Sequence, residues 1–373
     1  MERGVEHLVE WLPRERFRLT VLSPFESSFT DRLRALGADV VVASITNDPS
    51  WRSIQLTCAL VTSGAVDIIH SHLPNAHVLG GLVGRLTDRP VLATVHGREI
   101  TSIDLEVHHA AATHLAVVCR HSELHALGIG ARSERLHRIP SGVDTALFAP
   151  WRESGPGPRQ LREEYGIPAS APLVGFVGRL SWEKGPDLFL RMAATLCVAR
   201  PDAHFMIIGE GPMHAALAAS IKRLELTNIA HLAGTRMDMP AAYAEFDVAV
   251  STSRIEGMPF AIMEAMASGV PIVARKVGGV ADLVQHGTSG CLVDESEEDA
   301  IAGQVAALLN DAMLRNAMGR AARERAVAHF ALAETVEQTT QLYATLINGD
   351  KTIQSGLTTR TLLVMKADSS LTR

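Results

Sequence analysis

Two carboxylates, two cations and a set of histidines carry most of the chemistry open to this chain. In Ser253–Val280, SRIEGMPFAIMEAMASGVPIVARKVGGV, Glu256 precedes a turn containing Gly257 and Pro259, and Glu264 follows eight residues after Glu256. Pro259 suits the first position of a helix, where a missing N–H costs nothing. Gly269 suits its stop. The helix between them would present backbone N–H groups near Phe260, Ala261 and Ile262 that lack intrahelical acceptors, and such a terminus takes phosphate readily. Spacing alone is weak support. The chain has 24 Glu, and Glu2 and Glu10 form another pair eight apart. The order strand, Glu, turn, helix, Glu, SGVP and a second Gly-Gly turn is what singles the segment out.

A second segment, Gly175–Asp187 (GFVGRLSWEKGPD), sets Arg179 and Lys184 on either side of a turn into a helix. An Arg fork and a mobile Lys charge on one loop suit a diphosphate. A surface loop that is charged without function is the competing reading. His70 and His72 stand in DIIHSH and His96 in TVHG. His70 and His72 read equally well as strand-end residues that satisfy backbone groups. His108, His109 and the other histidines of the first half look scattered over surface and helices. They lack metal spacing on one helix face, so no metal is expected. Cys58, Cys119, Cys197 and Cys291 are isolated, which excludes a CxxC pair and fits a reducing compartment. No GxGxxG follows a strand, and GIG at Gly128–Gly130 lacks the third glycine, which disfavours an NAD oxidoreductase.

The elements that must position these residues are legible as apolar runs. Strand candidates are Arg18–Ser23, Asp39–Ala43, Asp67–His70, Val91–Val95, His114–Val118 and Leu136–Ile139. In the second half they are Leu173–Val177, His204–Ile208, Ile229–Leu232, Asp247–Ser251, Pro271–Ala274 and Cys291–Val293. Continuous rather than alternating apolarity means burial on both faces, as in a parallel sheet covered by helices. Strand–helix repetition thus predicts an α/β fold with two Rossmann-like, doubly wound parallel-sheet domains facing a cleft. The expected domains are 1–150 and 151–347, with a boundary inside Pro150–Pro172 that carries one short helix, Gln160–Tyr165. Glu297–Leu309, Met313–Ala328 and Leu332–Leu346 read as consecutive helices. The remaining 348–373 reads as a frayed tail, or as a peripheral strand at TLLVM.

Composition sets outer limits. The chain has 373 residues, 47% hydrophobic and 20% charged, with a net charge of −6. That is ordinary for globular domains and poor for a nucleic-acid binder. Of its 35 basic residues 30 are Arg, which fits codon usage. No 18-residue apolar stretch exists, and MERGVEHLVEW lacks a signal-peptide core, so the cytoplasm is the default location. Arginines in Arg14–Arg18 could touch an anionic membrane peripherally; a solvated helix end is the alternative.

Taken together, these segments resemble glycosyltransferase family four, the retaining nucleotide-sugar transferases of GT-B fold. IPSGVDTALF (Ile139–Phe148) is similar to the family's inter-domain signature, with Ser141 where Asn is more usual. GRLSWEKG resembles its diphosphate loop, IIGEGP (Ile207–Pro212) and Leu232–Tyr243 its nucleotide-side turns, and EGMPFAIMEAMASGVPIVA its paired-Glu element. VGGVADLV, DIIHSH and TVHG fit as well, and the likeness runs from about Glu2 to Ile347. The resemblance implies that Arg179 and Lys184 neutralise the donor diphosphate and that Glu264 accepts from ribose hydroxyls. Glu256 would contact the transferred sugar, next to Gly257 and the N–H groups of Phe260 and Ala261. His96 would approach that sugar from the other domain, and the base would lie near Thr235–Met237, with Arg236 on the donor side. It implies a nucleoside-diphosphate sugar as co-substrate, a glycan or lipid-linked acceptor, a setting in cell-surface polysaccharide synthesis and no required divalent metal. A non-catalytic sugar-nucleotide-binding protein and a GT-B epimerase remain as alternatives.

The start departs from the family pattern. MERGVEHLVEW resembles the part just after a first strand and Gly-Gly turn, which are missing here. A start codon recorded too far downstream is the favoured explanation, a truly short product the other. If the chain is complete as written, the first sheet is expected to lack a central strand and to expose unpaired edges.

Overall fold

A computed structural model describes residues 2–150, 159–294, 300–348 and 359–365. Each run read as a strand forms one: β1 Phe17–Ser23, β2 Asp39–Val42, β3 Ile68–His72, β4 Val91–Val95, β5 His114–Val117 and β6 Leu136–Arg138. The second half adds β7 Leu173–Val177, β8 His204–Ile208, β9 Ala230–Leu232, β10 Val248–Ser251, β11 Ile272–Arg275 and β12 Gly290–Val293. The last strand is β13, Thr359–Met365. Two sheets result, β2-β1-β13-β3-β4-β5-β6 and β12-β11-β10-β7-β8-β9. The pairings are parallel. Continuous apolarity thus had the meaning expected of it.

The chain forms two compact units, Met1–Ser141 with Ala333–Arg373, and Gly142–Leu332. It passes between them at 141/142 and 332/333, not inside Pro150–Pro172. The Leu332–Asn348 helix, expected in the second domain, therefore belongs almost wholly to the first unit. There Tyr343 is fully buried against His70, and the Thr335 hydroxyl donates to the Pro140 carbonyl at 2.9 Å. The linker stretch 151–158, residues 295–299 at the start of the expected Glu297–Leu309 helix, and tail residues 349–358 and 366–373 lie outside the described residues.

The tail brings the largest correction. Thr359–Met365 is neither frayed nor peripheral, and the first sheet does not lack a central strand. β13 runs parallel between β1 and β3 as the third of seven strands. Its register runs from Phe17↔Thr359 to Leu22↔Val364 on one side and from Thr361↔Ile68 to Met365↔His72 on the other. Leu362, Leu363, Val364 and Met365 are fully buried. A short run buried on both faces is what a central parallel strand requires. With both its ladders formed, neither β1 nor β3 is left with an open edge.

Each unit has its own core. In the first, Leu22, Ile69, Leu79, Val83, Leu362 and Val364 pack on one face of the sheet. In the second, Phe176, Phe189 and Phe205 pack with Val174, Ile207 and Val248. β13 thus contributes to the core as well as to the ladder.

Candidate active site

In the second unit the chain lays β8 and β9 to one side of β7, and β10, β11 and β12 to the other. The order reverses between β7 and β10, and ligands of open α/β sheets bind beyond the strand carboxyl ends at such a switch point. The loops that leave β7 and β10 are therefore neighbours. They are also tied together. Gly185 adopts φ +65°, and a Cβ there would sit 2.3 Å from the Thr252 carbonyl oxygen, so no larger residue fits. The Thr252 hydroxyl donates to the Gly185 carbonyl at 2.7 Å. The Arg254 N–H donates to the Glu183 carbonyl at 2.7 Å, and its guanidinium grips both Asp187 oxygens at 2.8 and 2.7 Å.

This stitching brings Lys184 to Glu256, 72 residues away, with Nζ at 2.7 and 2.8 Å from the two carboxylate oxygens. The Glu256 side chain is 6% exposed and that of Lys184 33%. The Ser253 hydroxyl donates to Glu256 Oε1 at 2.7 Å. Arg179 is exposed on the same loop. The Glu183 carboxyl is held below the usual range first by its own backbone N–H and the Ser181 side chain, then by the charges of Arg179 and Lys184. Both cations therefore act on one short stretch of loop.

The helix after Glu256 spans Phe260–Ala267, with Pro259 as N-cap rather than first helical residue. A shift of one residue is ordinary at helix ends. Pro259 offers no side-chain cap to the first turn. The Gly257 carbonyl accepts from the Gly279 N–H at 3.0 Å, which joins the two glycine turns. Glu264 is buried in the second turn. The Tyr243 hydroxyl lies 3.1 Å from Glu264 Oε2 and 3.0 Å from the Ala261 carbonyl oxygen, so its single proton serves two acceptors. Tyr243 and Ser253 were missed as site residues. A buried Tyr hydroxyl needs a partner, but nothing in sequence shows that the partner is Glu264.

Arg236, expected on the donor side, is engaged by neighbouring carboxylates. Its fork is engaged by Asp238 at 3.0 and 3.0 Å and by Glu164 at 2.8 Å. Those partners, Asp238 first, hold its proton more firmly than usual. The residue clips its loop to the Gln160–Glu164 helix.

In the first unit, β3 and β4 are adjacent. His72 ends β3 and His96 follows β4, and His72 Nδ1 lies 2.9 Å from His96 Nε2. His70 bridges the Tyr343 hydroxyl at 2.6 Å and the Thr94 hydroxyl at 2.7 Å. These rings bond side chains, not the backbone groups expected of strand-end residues. Burial drives the His70 pKa down to about 3. Burial, and then neighbouring positive charge, puts His72 and His96 well below the ordinary value. All three are neutral at pH 7. Nor are the remaining histidines all superficial. His77 is buried between Asp104 at 3.0 Å and Thr113 at 2.8 Å, and His108 is buried against the Thr113 carbonyl at 2.8 Å. Among the described residues no three His, Cys, Asp or Glu side chains are grouped to hold a metal ion. No described helix is long and apolar enough to cross a membrane.

Known proteins match the chain along most of its length. Residues 1–147 match the glycosyltransferase family 4 profile and residues 159–325 that of glycosyl transferases group 1. The chain is 27% identical to the Escherichia coli UDP-Gal:alpha-D-GlcNAc-diphosphoundecaprenol alpha-1,3-galactosyltransferase, over 91% of this chain and 92% of that one. It is 32% identical to the Mycolicibacterium smegmatis GDP-mannose-dependent alpha-(1-6)-phosphatidylinositol monomannoside mannosyltransferase, over 67% of this chain and 69% of that one. In fold it is similar to Anabaena HepE in complex with UDP-glucose, with a TM-score of 0.81 at 22% identity, covering 92% of this chain and 95% of that one. A Rickettsia africae glycosyltransferase gives a TM-score of 0.81 at 18% identity, covering 94% and 95%. With two parallel α/β units of GT-B type, the chain belongs to the family 4 glycosyltransferases.

Proposed function

We propose that the protein is a retaining hexosyltransferase. It moves a sugar from a nucleoside-diphosphate sugar to a glycan or lipid-linked acceptor, in assembly of cell-surface polysaccharide or glycolipid. The observation that carries this is the Lys184–Glu256 pair at the switch point, beside a helix start and the buried Glu264. The activities named for the galactosyl- and mannosyltransferase relatives support the substrate class.

In this reading Arg179 and Lys184 face the diphosphate, and the first turn at Phe260 and Ala261 adds backbone N–H groups. Glu264 takes the ribose hydroxyls, and Glu256, with Gly257 beside it, takes hydroxyls of the sugar. His96 meets the sugar or acceptor. The anomeric C–O bond to phosphate breaks as the bond to the acceptor oxygen forms on the same face, and the acceptor proton passes to the leaving phosphate oxygen. Charge grows on that oxygen, where preorganised donors matter most. The scheme asks for no divalent metal, so turnover that chelators abolish would overturn that part. Membrane contact through Arg14–Arg18 is the remaining element of this reading.

The test combines UDP- and GDP-sugars, a lipid-linked or glycan acceptor, and NMR of the product's anomeric proton. Retained configuration is expected; an inverted product defeats the mechanism. Nucleotide stabilisation of the wild-type chain is expected to add about 2.7 kcal/mol at ~100 Kd and to fall in Lys184→Ala. Equal stabilisation of both proteins would remove Lys184 from the site.

A further inference from the structure

Among the buried polar atoms that hold no hydrogen bond is His72 Nε2, in a ring only 1% exposed. Its other nitrogen, Nδ1, faces His96 Nε2 at 2.9 Å. The rings are stacked, with centroids 5.2 Å apart and planes at 23°. His96 is only partly buried, and its Nδ1 has no partner among the described residues. Leu73, the next residue after His72, adopts φ +82° and ψ 153°. A side-chain-bearing residue there costs roughly 1–3 kcal/mol and persists only where the surroundings enforce it. The end of β3 is thus held in place at His72.

Two neutral rings that share one hydrogen bond can do so in two ways. In the first, His72 Nδ1–H donates to the His96 Nε2 lone pair. His96 then carries its proton on Nδ1, and the sealed His72 Nε2 is a bare lone pair. In the second, His96 Nε2–H donates to His72. His72 must then carry its proton on Nε2, where no acceptor exists among the described residues. A buried N–H without an acceptor is the rarer and costlier defect.

We propose that His72 is a positioning residue that fixes His96 as the Nδ1–H tautomer. His96 then meets its ligand as a hydrogen-bond donor to an oxygen acceptor, a hydroxyl or phosphate oxygen, and not as a base. The role assigned to His96 rests on the transferase reading above; the tautomer does not.

The experiment uses the full chain labelled with ¹⁵N-histidine. Two-bond ¹⁵N–¹H correlation spectra at pH 7.5 assign the tautomers, with His96→Gln and His72→Gln identifying the signals. His96 is expected to show a protonated Nδ1 and a bare Nε2. In His72→Asn the amide can still donate to Nε2, so the pattern is expected to persist. In His72→Asp the carboxylate accepts instead, and His96 is expected to switch to Nε2–H. His96 protonated on Nε2 in the wild type, or unchanged in His72→Asp, overturns the proposal. Kinetics give a second readout. His72→Asp is expected to lower kcat/KM roughly tenfold or more, about the loss of one hydrogen bond, and further than His72→Asn does. Equal losses in Asn and Asp variants that both fold, shown by unchanged spectra elsewhere, would make His72 merely structural. A correct tautomer in a protein that transfers no sugar would defeat the transferase reading and leave the proposal standing.

Discussion

Lys184 presents three protons, and two of them meet Glu256. A diphosphate that enters must compete with that carboxylate for the same ammonium. Glu256→Gln is therefore expected to tighten binding of UDP, which has no sugar, by about three- to tenfold, the worth of a partly exposed pair. Transfer should fall in the same variant, because the sugar loses a charged acceptor. Calorimetry with UDP beside a turnover assay separates the effects; weaker UDP binding would refute the competition. Lys184→Ala is expected to lose about 10²–10³ in turnover, and wild-type turnover would sink its role. Tyr243→Phe removes the hydroxyl that bonds the Ala261 carbonyl and Glu264 Oε2, at a cost of about 1–3 kcal/mol. A raised donor KM with little change in kcat is expected, checked by initial-rate kinetics. Most of this site was readable because its residues sit in short segments whose order along the chain is informative. Tyr243 and the His72–His96 bond were not, since each depends on which strands become neighbours. The pairing of Arg236 with Asp238 and Glu164 was not legible either, since both are ordinary acidic residues in sequence.

At the scale of elements, twelve strands were visible as apolar runs, and the exception is instructive. TLLVM is as apolar as the others, but it stands alone in a polar tail, with no helix pattern after it to mark a strand–helix unit. Only the vacancy between β1 and β3 gives it a central place, and that vacancy belongs to the sheet rather than to the segment. The domain boundary was displaced for a similar reason: prolines mark Pro150–Pro172 as irregular, whereas burial of Tyr343 against His70 decides where the Leu332–Asn348 helix belongs. If β13 completes the sheet, removing 359–373 should strip protection from the first unit and spare the second. Limited proteolysis with peptide mapping checks this, and unchanged protection within 17–138 would count against a structural role. Leu363→Ala, at a fully buried site, is expected to cost about 2–5 kcal/mol, measured by urea unfolding.

The two units as a whole should differ in their response to acid. His70, His72, His96, His108, His114 and His137 of the first unit are held below their ordinary pKa, mainly by burial. The second unit has His204 and His231. Above about pH 6.5 the folded and unfolded forms of these rings are both neutral. Below it the unfolded chain takes up protons that the folded chain refuses. Each fully buried ring then costs about 1.4 kcal/mol per pH unit, until pH reaches the folded value; the half-buried rings cost less. The first unit is expected to become protease-sensitive at a higher pH than the second, and simultaneous loss would contradict this. The position of β13 also bears on how the protein is made. The second unit is one continuous stretch, Gly142–Leu332, while the first needs residues from both ends of the sequence. A ribosome releases the strands β1 to β6 early and must then translate the whole second unit before Thr359. At ~5–20 residues per second that interval is roughly 10–45 s. Through it the nascent sheet keeps β1 and β3 unjoined, so the part synthesised first is completed last. Chaperones have that window to shield the gap, and neighbouring chains on one message have it to exchange strands.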